Sequence, residues 1–230
     1  MNNYLLVDGL NMFMRAKHVG GRGDSIDMKI GMAMHIMFNS INKCWNKFDG
    51  THVVLCLEGR SWRKDFYKPY KANRKVTMNK RSPREQEDDE LYFEAYDDMV
   101  QFFADKTNCT VLRCEIAEAD DMIATWVQQH PEDNHMIVST DSDFYQLLAP
   151  NVQQFNGTTD QLVTLEGWHE LKTGNVVIDK KTKEPKVPVD PKWVLFEKCV
   201  RGDSSDNVFA SYPGARLKGT KNKTGIREAF

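Results

Sequence analysis

Four short apolar runs, each followed closely by acids, constrain this chain more than any other feature. Tyr4-Leu5-Leu6-Val7 ends at Asp8-Gly9, Val53-Val54-Leu55-Cys56-Leu57 at Glu58-Gly59, and Met136-Ile137-Val138-Ser139 at Thr140-Asp141. The third run, Thr110-Val111-Leu112-Arg113-Cys114, precedes Glu118-Ala119-Asp120-Asp121. Runs that are short and apolar throughout read as strands buried on both faces. Helical patterns lie between them. Over 28–48, Ile30, Met34, Met37, Phe38, Ile41, Trp45 and Phe48 form one apolar face, and its methionines read as core. Residues 85–106, 118–129, 142–149 and 193–200 read as helices, 152–155 and 162–165 as short strands, and 172–190 as a polar loop or ribbon. This alternation predicts βαβ units, hence an α/β fold with a mostly parallel sheet. Ligands gather at the carboxyl edge of such sheets. Asp8, Glu58, Glu118, Asp120, Asp121, Asp141 and Asp143 are all expected there.

The 230 residues are 40% apolar and 28% charged with 14 Gly and 8 Pro, which excludes a disordered or low-complexity chain. No apolar run approaches the roughly 18–20 residues of a membrane span. The N-terminus enters its first strand without a basic leader, so no signal peptide is expected. Five unpaired-looking Cys predict reduced thiols and a cytoplasmic location, and six scattered His show no zinc spacing.

The net charge of −2 hides blocks of opposite sign. Residues 60–84 carry +9, 85–98 carry −8 and 214–227 carry +5. The block over 85–98 reads as a solvated face. In 60–84 the bases alternate with Trp62, Phe66, Tyr67 and Tyr70, a mixture suited to holding phosphates and stacking single-stranded bases. With Pro69 and Pro83 it predicts a mobile excursion.

Any one of the acids has an ordinary explanation as a turn residue, an N-cap or helix-terminal charge. Their recurrence at successive strand ends does not. Converging carboxylates repel and need a compensating cation. A set of oxygen donors without His or Cys selects Mg²⁺ or Mn²⁺, and two such ions would serve phosphodiester cleavage. Asp203 and Asp206, in Gly202-Asp203-Ser204-Ser205-Asp206-Asn207, form a further pair after the last helix.

Leu6-Val7-Asp8-Gly9, Glu118-Ala119-Asp120-Asp121, Ser139-Thr140-Asp141-Ser142-Asp143-Phe144 and Gly202-Asp203-Ser204-Ser205-Asp206-Asn207 together resemble the structure-specific 5′-nuclease (flap endonuclease) family. Trp62-Arg63-Lys64-Asp65-Phe66-Tyr67 and Tyr70-Lys71-Ala72-Asn73-Arg74 fit its T-even bacteriophage ribonuclease H group. The resemblance implies a PIN-like, Rossmann-like fold with a helical arch. It implies a first metal cluster of Asp8, Glu118, Asp120 and Asp141, a second of Asp143, Asp203 and Asp206, and Asp121 beside them. Glu58 stands where the family usually has Asp, a longer reach to the same ligand position. The resemblance also implies that Lys71 and Arg74 contact the scissile phosphate, with Tyr70 stacking on a base. Arg63, Lys64 and Tyr67 join the expected nucleic-acid surface, and Asp141 the catalytic set. Gly219-Thr220-Lys221-Asn222-Lys223-Thr224-Gly225, after Pro213 and Gly214, loosely resembles the family's helix–three-turn–helix. Lys221, Lys223 and Thr224 would grip duplex there, with K⁺ as an expected ion.

These features divide the chain into a nuclease core over 1–200, with arch and following helix at 60–106, and a partial duplex-binding segment over 201–230. They predict a two-Mg²⁺ 5′→3′ exonuclease or flap endonuclease in which Mn²⁺ substitutes. Its expected partners are DNA with a 5′ single-stranded end or flap, RNA–DNA hybrid at primers, and replication proteins. The chain stops part-way into the second helix of the duplex motif, which leaves three readings open: a naturally short protein, a truncated one, or one completed by a second chain. A binding-only remnant and a PIN-like single-strand ribonuclease are the rival functions. A haloacid-type phosphatase fits less well, because Asp8-Gly9-Leu10 lacks the second Asp that chemistry needs.

Overall fold

A computed structural model describes the chain except Arg22, Asp24, Val187, Pro188, Pro213 and Asn222, and the side chain of Lys75. The apolar runs form β1 (Asn3–Asp8), β2 (His52–Cys56), β3 (Thr110–Leu112) and β4 (Asn134–Val138). With β5 (Val152–Asn156), β6 (Gln161–Thr164) and β7 (Gly167–Glu170) they make one seven-stranded sheet in the order β3-β2-β1-β4-β5-β6-β7. The first five strands are mutually parallel, and β6 and β7 add antiparallel. The expected PIN-like α/β sheet is therefore present. β7 falls between the strand read over 162–165 and the polar stretch over 172–190, where the sequence marks no element; it is an edge strand of four residues.

Central β1 explains the sheet's character. Leu5, Leu6 and Val7 are fully buried, so both faces are covered and no polar alternation survives. On one face pack α1 (Gly9–Gly20), α2 (Ile26–Lys47) and α5 (Pro83–Lys106), through Phe13, Met37, Ile41, Tyr96 and Phe103. On the other lie α6 (Ala119–Gln129) and a 3₁₀ turn (Ser142–Leu147), through Ala119, Ile123 and Phe144. The methionine stripe of α2 is core where Met37 is buried, while Met28 and Met32 reach solvent.

Helix ends are specified locally. Asp8 caps α1, accepting from Asn11 N at 3.2 Å, so the helix starts where the sequence suggests only a turn. Ser82 and Glu85 cap α5 reciprocally, with Pro83 at its first position. The segment 60–84 is more ordered than its composition predicts. It holds two short helices, α3 (Arg63–Phe66) and α4 (Ala72–Met78), whose base is docked on the body. After α7 (Pro191–Arg201), the chain closes with α8 (Ile226–Ala229), and Phe230 lies edge-on to Trp193. Pro213 and Asn222 of the C-terminal motif lie outside the described residues.

Candidate metal and nucleic-acid site

Parallel strands bring the sequence-predicted acids to one sheet edge, but the tertiary structure treats them in three ways. Asp8, Glu58, Asp120 and Asp141 line a cavity of ≈ 630 Å³, with Lys71 and Arg74 at the same opening. Burial pushes Asp8 up to about 6, against hydrogen bonds from Ser139 and Asn11 and with added repulsion from Glu58 and Asp141. Burial, then Asp8, Asp141 and Glu58, push Asp120 up to about 8. Glu58 is raised by burial as well, partly offset by Lys71. Burial first, and mutual repulsion second, thus disfavour ionisation of these carboxylates without a compensating cation.

Glu58 reaches this place because of Gly59. A Cβ at position 59 would lie 2.0 Å from the Cys114 carbonyl oxygen and 2.6 Å from that of Ala117. Glycine lets the two backbones touch, with Gly59 N donating to Ala117 O at 2.9 Å. Glu58 then accepts weakly from Ala119 N at 3.4 Å, beside the start of α6.

The second treatment is pairing with the base of the arch. Lys71 Nζ donates to Glu118 Oε1 at 2.5 Å and lies 3.7 Å from Asp206. Ser61 Oγ and Tyr70 Oη donate to Glu118 Oε2 at 2.6 and 3.0 Å, and Arg63 reaches the same oxygen at 3.0 Å. Burial opposes ionisation of Glu118, but Lys71, Ser61 and Tyr70 overcome it and hold the carboxyl below its ordinary range. Arg63 also grips Asp121 with two bonds of 2.9 and 2.8 Å. Arg74 Nη2 bonds Asp206 at 2.9 Å. Lys71 itself adopts φ +53°, a sparsely populated conformation for a non-glycine, with its N–H bonded to Asp206 O at 2.8 Å.

The third treatment involves a residue the sequence reading missed. Lys198 on α7 bridges Asp143 and Asp203, contacting the former closely and the latter at 2.6 Å. Burial disfavours the charged ammonium, but the two carboxylates raise its affinity for a proton. The sequence signal was slight: a single Lys five residues before Asp203. Ser61 carries no sequence signal at all, and Ser139, which donates to Asp8 Oδ2 at 2.9 Å, is marked in sequence only as the first residue of the Ser139–Phe144 motif.

Tyr70 is 8% exposed, and its hydroxyl lies 3.0 Å from both Glu118 Oε2 and Asp206 Oδ2, with one proton to share between them. Tyr67 is half-buried, edge-on to Phe209 at 6.2 Å. Lys64, Lys221, Lys223 and Thr224 are exposed; the Thr220–Lys223 pair closes a turn that holds Lys221, and Thr224 follows it.

Among the described residues, no three acidic, His or Cys side chains are already gathered at metal-coordinating separations. The donor set nevertheless fits a hard cation. It is all oxygen, the four cavity carboxylates repel one another, and lysines already bridge the other pairs as a cation would.

The sequence and the fold have counterparts. Residues 3–177 match the family model of the 5′-3′ exonuclease N-terminal resolvase-like domain. The chain is 30% identical over 234 residues to a flap endonuclease Xni of Shewanella loihica, covering all of this chain and 77% of that protein. It is 29% identical over 224 residues to the ribonuclease H of Enterobacteria phage T4, covering 90% of this chain and 65% of the relative. A crystal structure of the phage T5 D15 protein, co-crystallised with metal ions, superposes with TM-score 0.69 at 24% identity, covering 92% of this chain and 70% of the other. With three quarters of its length matched by that model, the chain belongs to the family of 5′-3′ exonuclease N-terminal resolvase-like domains.

Proposed function

We propose that the protein is a divalent-metal-dependent 5′ nuclease that hydrolyses phosphodiesters in DNA with a single-stranded 5′ end or flap, and in RNA–DNA hybrid. The observation that supports this most is the cavity where Asp8, Glu58, Asp120 and Asp141 face Lys71 and Arg74. It offers oxygen ligands and phosphate-binding cations at one opening. Asp8, Glu58, Asp120 and Asp141, with Glu118, would hold one Mg²⁺, and Asp143, Asp203 and Asp206 a second. Asp121 anchors Arg63 beside them, and Mn²⁺ would substitute. Two such ions would supply a nucleophile from water and neutralise charge developing on the scissile phosphate.

The chain's own residues do the rest. Lys71 and Arg74 exchange their carboxylate partners for the scissile phosphate and orient it. Ser139 and Asn11 hold Asp8 in a fixed rotamer at the start of α1. The basic segment 60–84, including Arg63, Lys64 and Tyr67, guides the single strand. Residues 201–230 are read as the duplex-binding unit, with K⁺ near Lys221, Lys223 and Thr224, beyond a core over 1–200. Primer removal alongside replication proteins in a bacterial or infected-host cytoplasm suits these substrates. No helix among the described residues is long and apolar enough to cross a membrane.

The test is cleavage of a labelled 5′-flap DNA with Mg²⁺. Asp141→Asn should abolish cleavage while weakening flap binding less than tenfold. Binding without turnover in either Mg²⁺ or Mn²⁺ would establish the binding-only alternative instead.

A further inference from the structure

Gln154 lies in the middle of β5, between Ile137 of β4 and Val163 of β6, and is fully buried. An apolar side chain would be easier to place there, since a buried amide must recover the hydrogen bonds it made to water. Gln154 recovers them from one turn. Its Nε2 donates to Ser139 O at 2.9 Å and to Asp141 O at 2.7 Å. Its Oε1 is buried and has no partner among the described residues, so the position retains the amide for its donor.

The turn it holds lies beyond the last ladder pair of β4 and β5, Val138 with Phe155. Three carboxylates depend on that turn. Ser139 Oγ donates to Asp8 Oδ2 at 2.9 Å and accepts from Asp141 N at 3.1 Å. Asp141 Oδ1 accepts from Asp143 N at 3.0 Å, which starts the 3₁₀ turn. Asn11 grips Thr140 from the α1 side at 3.1 Å.

We propose that Gln154 is a positioning residue for phosphodiester cleavage. From inside the sheet, its amide clamps two carbonyls of the 139–141 turn and thereby fixes the relative placement of Asp8, Asp141 and Asp143. This rests on the reading of those acids as metal-holding groups and extends it to a residue that touches neither substrate nor ion. Ligand placement within fractions of an ångström governs both metal affinity and rate, so a backbone clamp of this kind acts on the chemical step rather than on substrate binding.

Gln154→Met keeps length and an unbranched shape but removes the donor. It should lower kcat on 5′-flap DNA at least tenfold, leave KM within twofold, and weaken Ca²⁺ binding, measured calorimetrically without turnover, at least fivefold. Val163→Ala, fully buried on β6, serves as the destabilised control and should leave kcat and Ca²⁺ affinity within twofold of the unsubstituted protein. In that unsubstituted protein the Gln154 side-chain amide resonances should shift on Ca²⁺ titration, a measurement that needs no variant. Unchanged kcat and Ca²⁺ affinity in Gln154→Met, an unmoved amide resonance, or losses that Val163→Ala reproduces in proportion to its lowered Tm would each overturn the inference. An unsubstituted protein that neither binds Ca²⁺ nor cleaves would instead overturn the metal-site reading beneath it.

Discussion

Asp120 gives the sharpest test of how the acidic edge is balanced. Burial and three neighbouring acids push its pKa from the ordinary 3.8 up to about 8, and among the described residues no donor bonds its carboxylate. A raised carboxyl pKa means the folded protein binds the proton more tightly than the unfolded chain. The group therefore costs no stability below pH 4, and its cost grows as pH rises from about 4 to 8. At pH 7 the ceiling is about 4 kcal/mol, taking ~1.4 kcal/mol per unit. Solvent penetration and relaxation reduce this to an expected ~2 kcal/mol. Asp120→Asn removes the charge and keeps the shape. With chelator present it should raise stability at pH 7 by ~2 kcal/mol, or about 4–8 °C in Tm for a chain of this size. The gain should vanish at pH 4. Adding Mg²⁺ should reverse the order, because the unsubstituted protein gains more from an ion that neutralises the cluster. Urea and thermal melts at pH 4, 5.5, 7 and 8 read all of this. A variant that is less stable than its parent at pH 7 with chelator would refute the reasoning, since Asp120 would then be a paired rather than a frustrated charge.

Three further outcomes follow from the same geometry. Lys198→Met should destabilise the chelated protein by ~3 kcal/mol in urea melts, because it leaves Asp143 and Asp203 facing each other unbridged. Gly59→Ala should lower stability by more than ~2 kcal/mol, since the added methyl meets backbone rather than a movable side chain; a Tm within two or three degrees of the parent would contradict it. His135 is 2% exposed, and burial lowers its pKa below 6.5. The unfolded chain then takes up the proton first, so this residue's contribution is lost as pH falls through 6.5. His135→Gln should flatten the stability profile between pH 7 and 5, a change readable by urea melts against the parent.

β1, β2 and β4 were readable because burial on both faces leaves an unbroken apolar run, a local property. Helix 28–48 was readable because its apolar face repeats at 3.6 residues. α1 was not, because its polar face carries Arg15, Lys17 and His18 and its start depends on Asp8 acting as a cap. The segment 60–84 reads as a loose excursion because its composition is basic and its docking partners are remote. Tyr70 meets Asp206 across 136 positions, and Arg63 meets Asp121 across 58.

The candidate site divides along the same line. That a parallel sheet carries its acids on one edge is legible in the chain, because each acid is written next to the strand it follows. So is the coexistence of clustered carboxylates with a basic segment. Which acids stand unneutralised in the cavity, which are held by Arg63, Lys71 and Arg74, and which are bridged by Lys198 emerges only on folding. That sorting depends on burial and on distances of a few ångströms between groups far apart in sequence. Charge energies vary steeply with both, and neither is encoded in any local pattern.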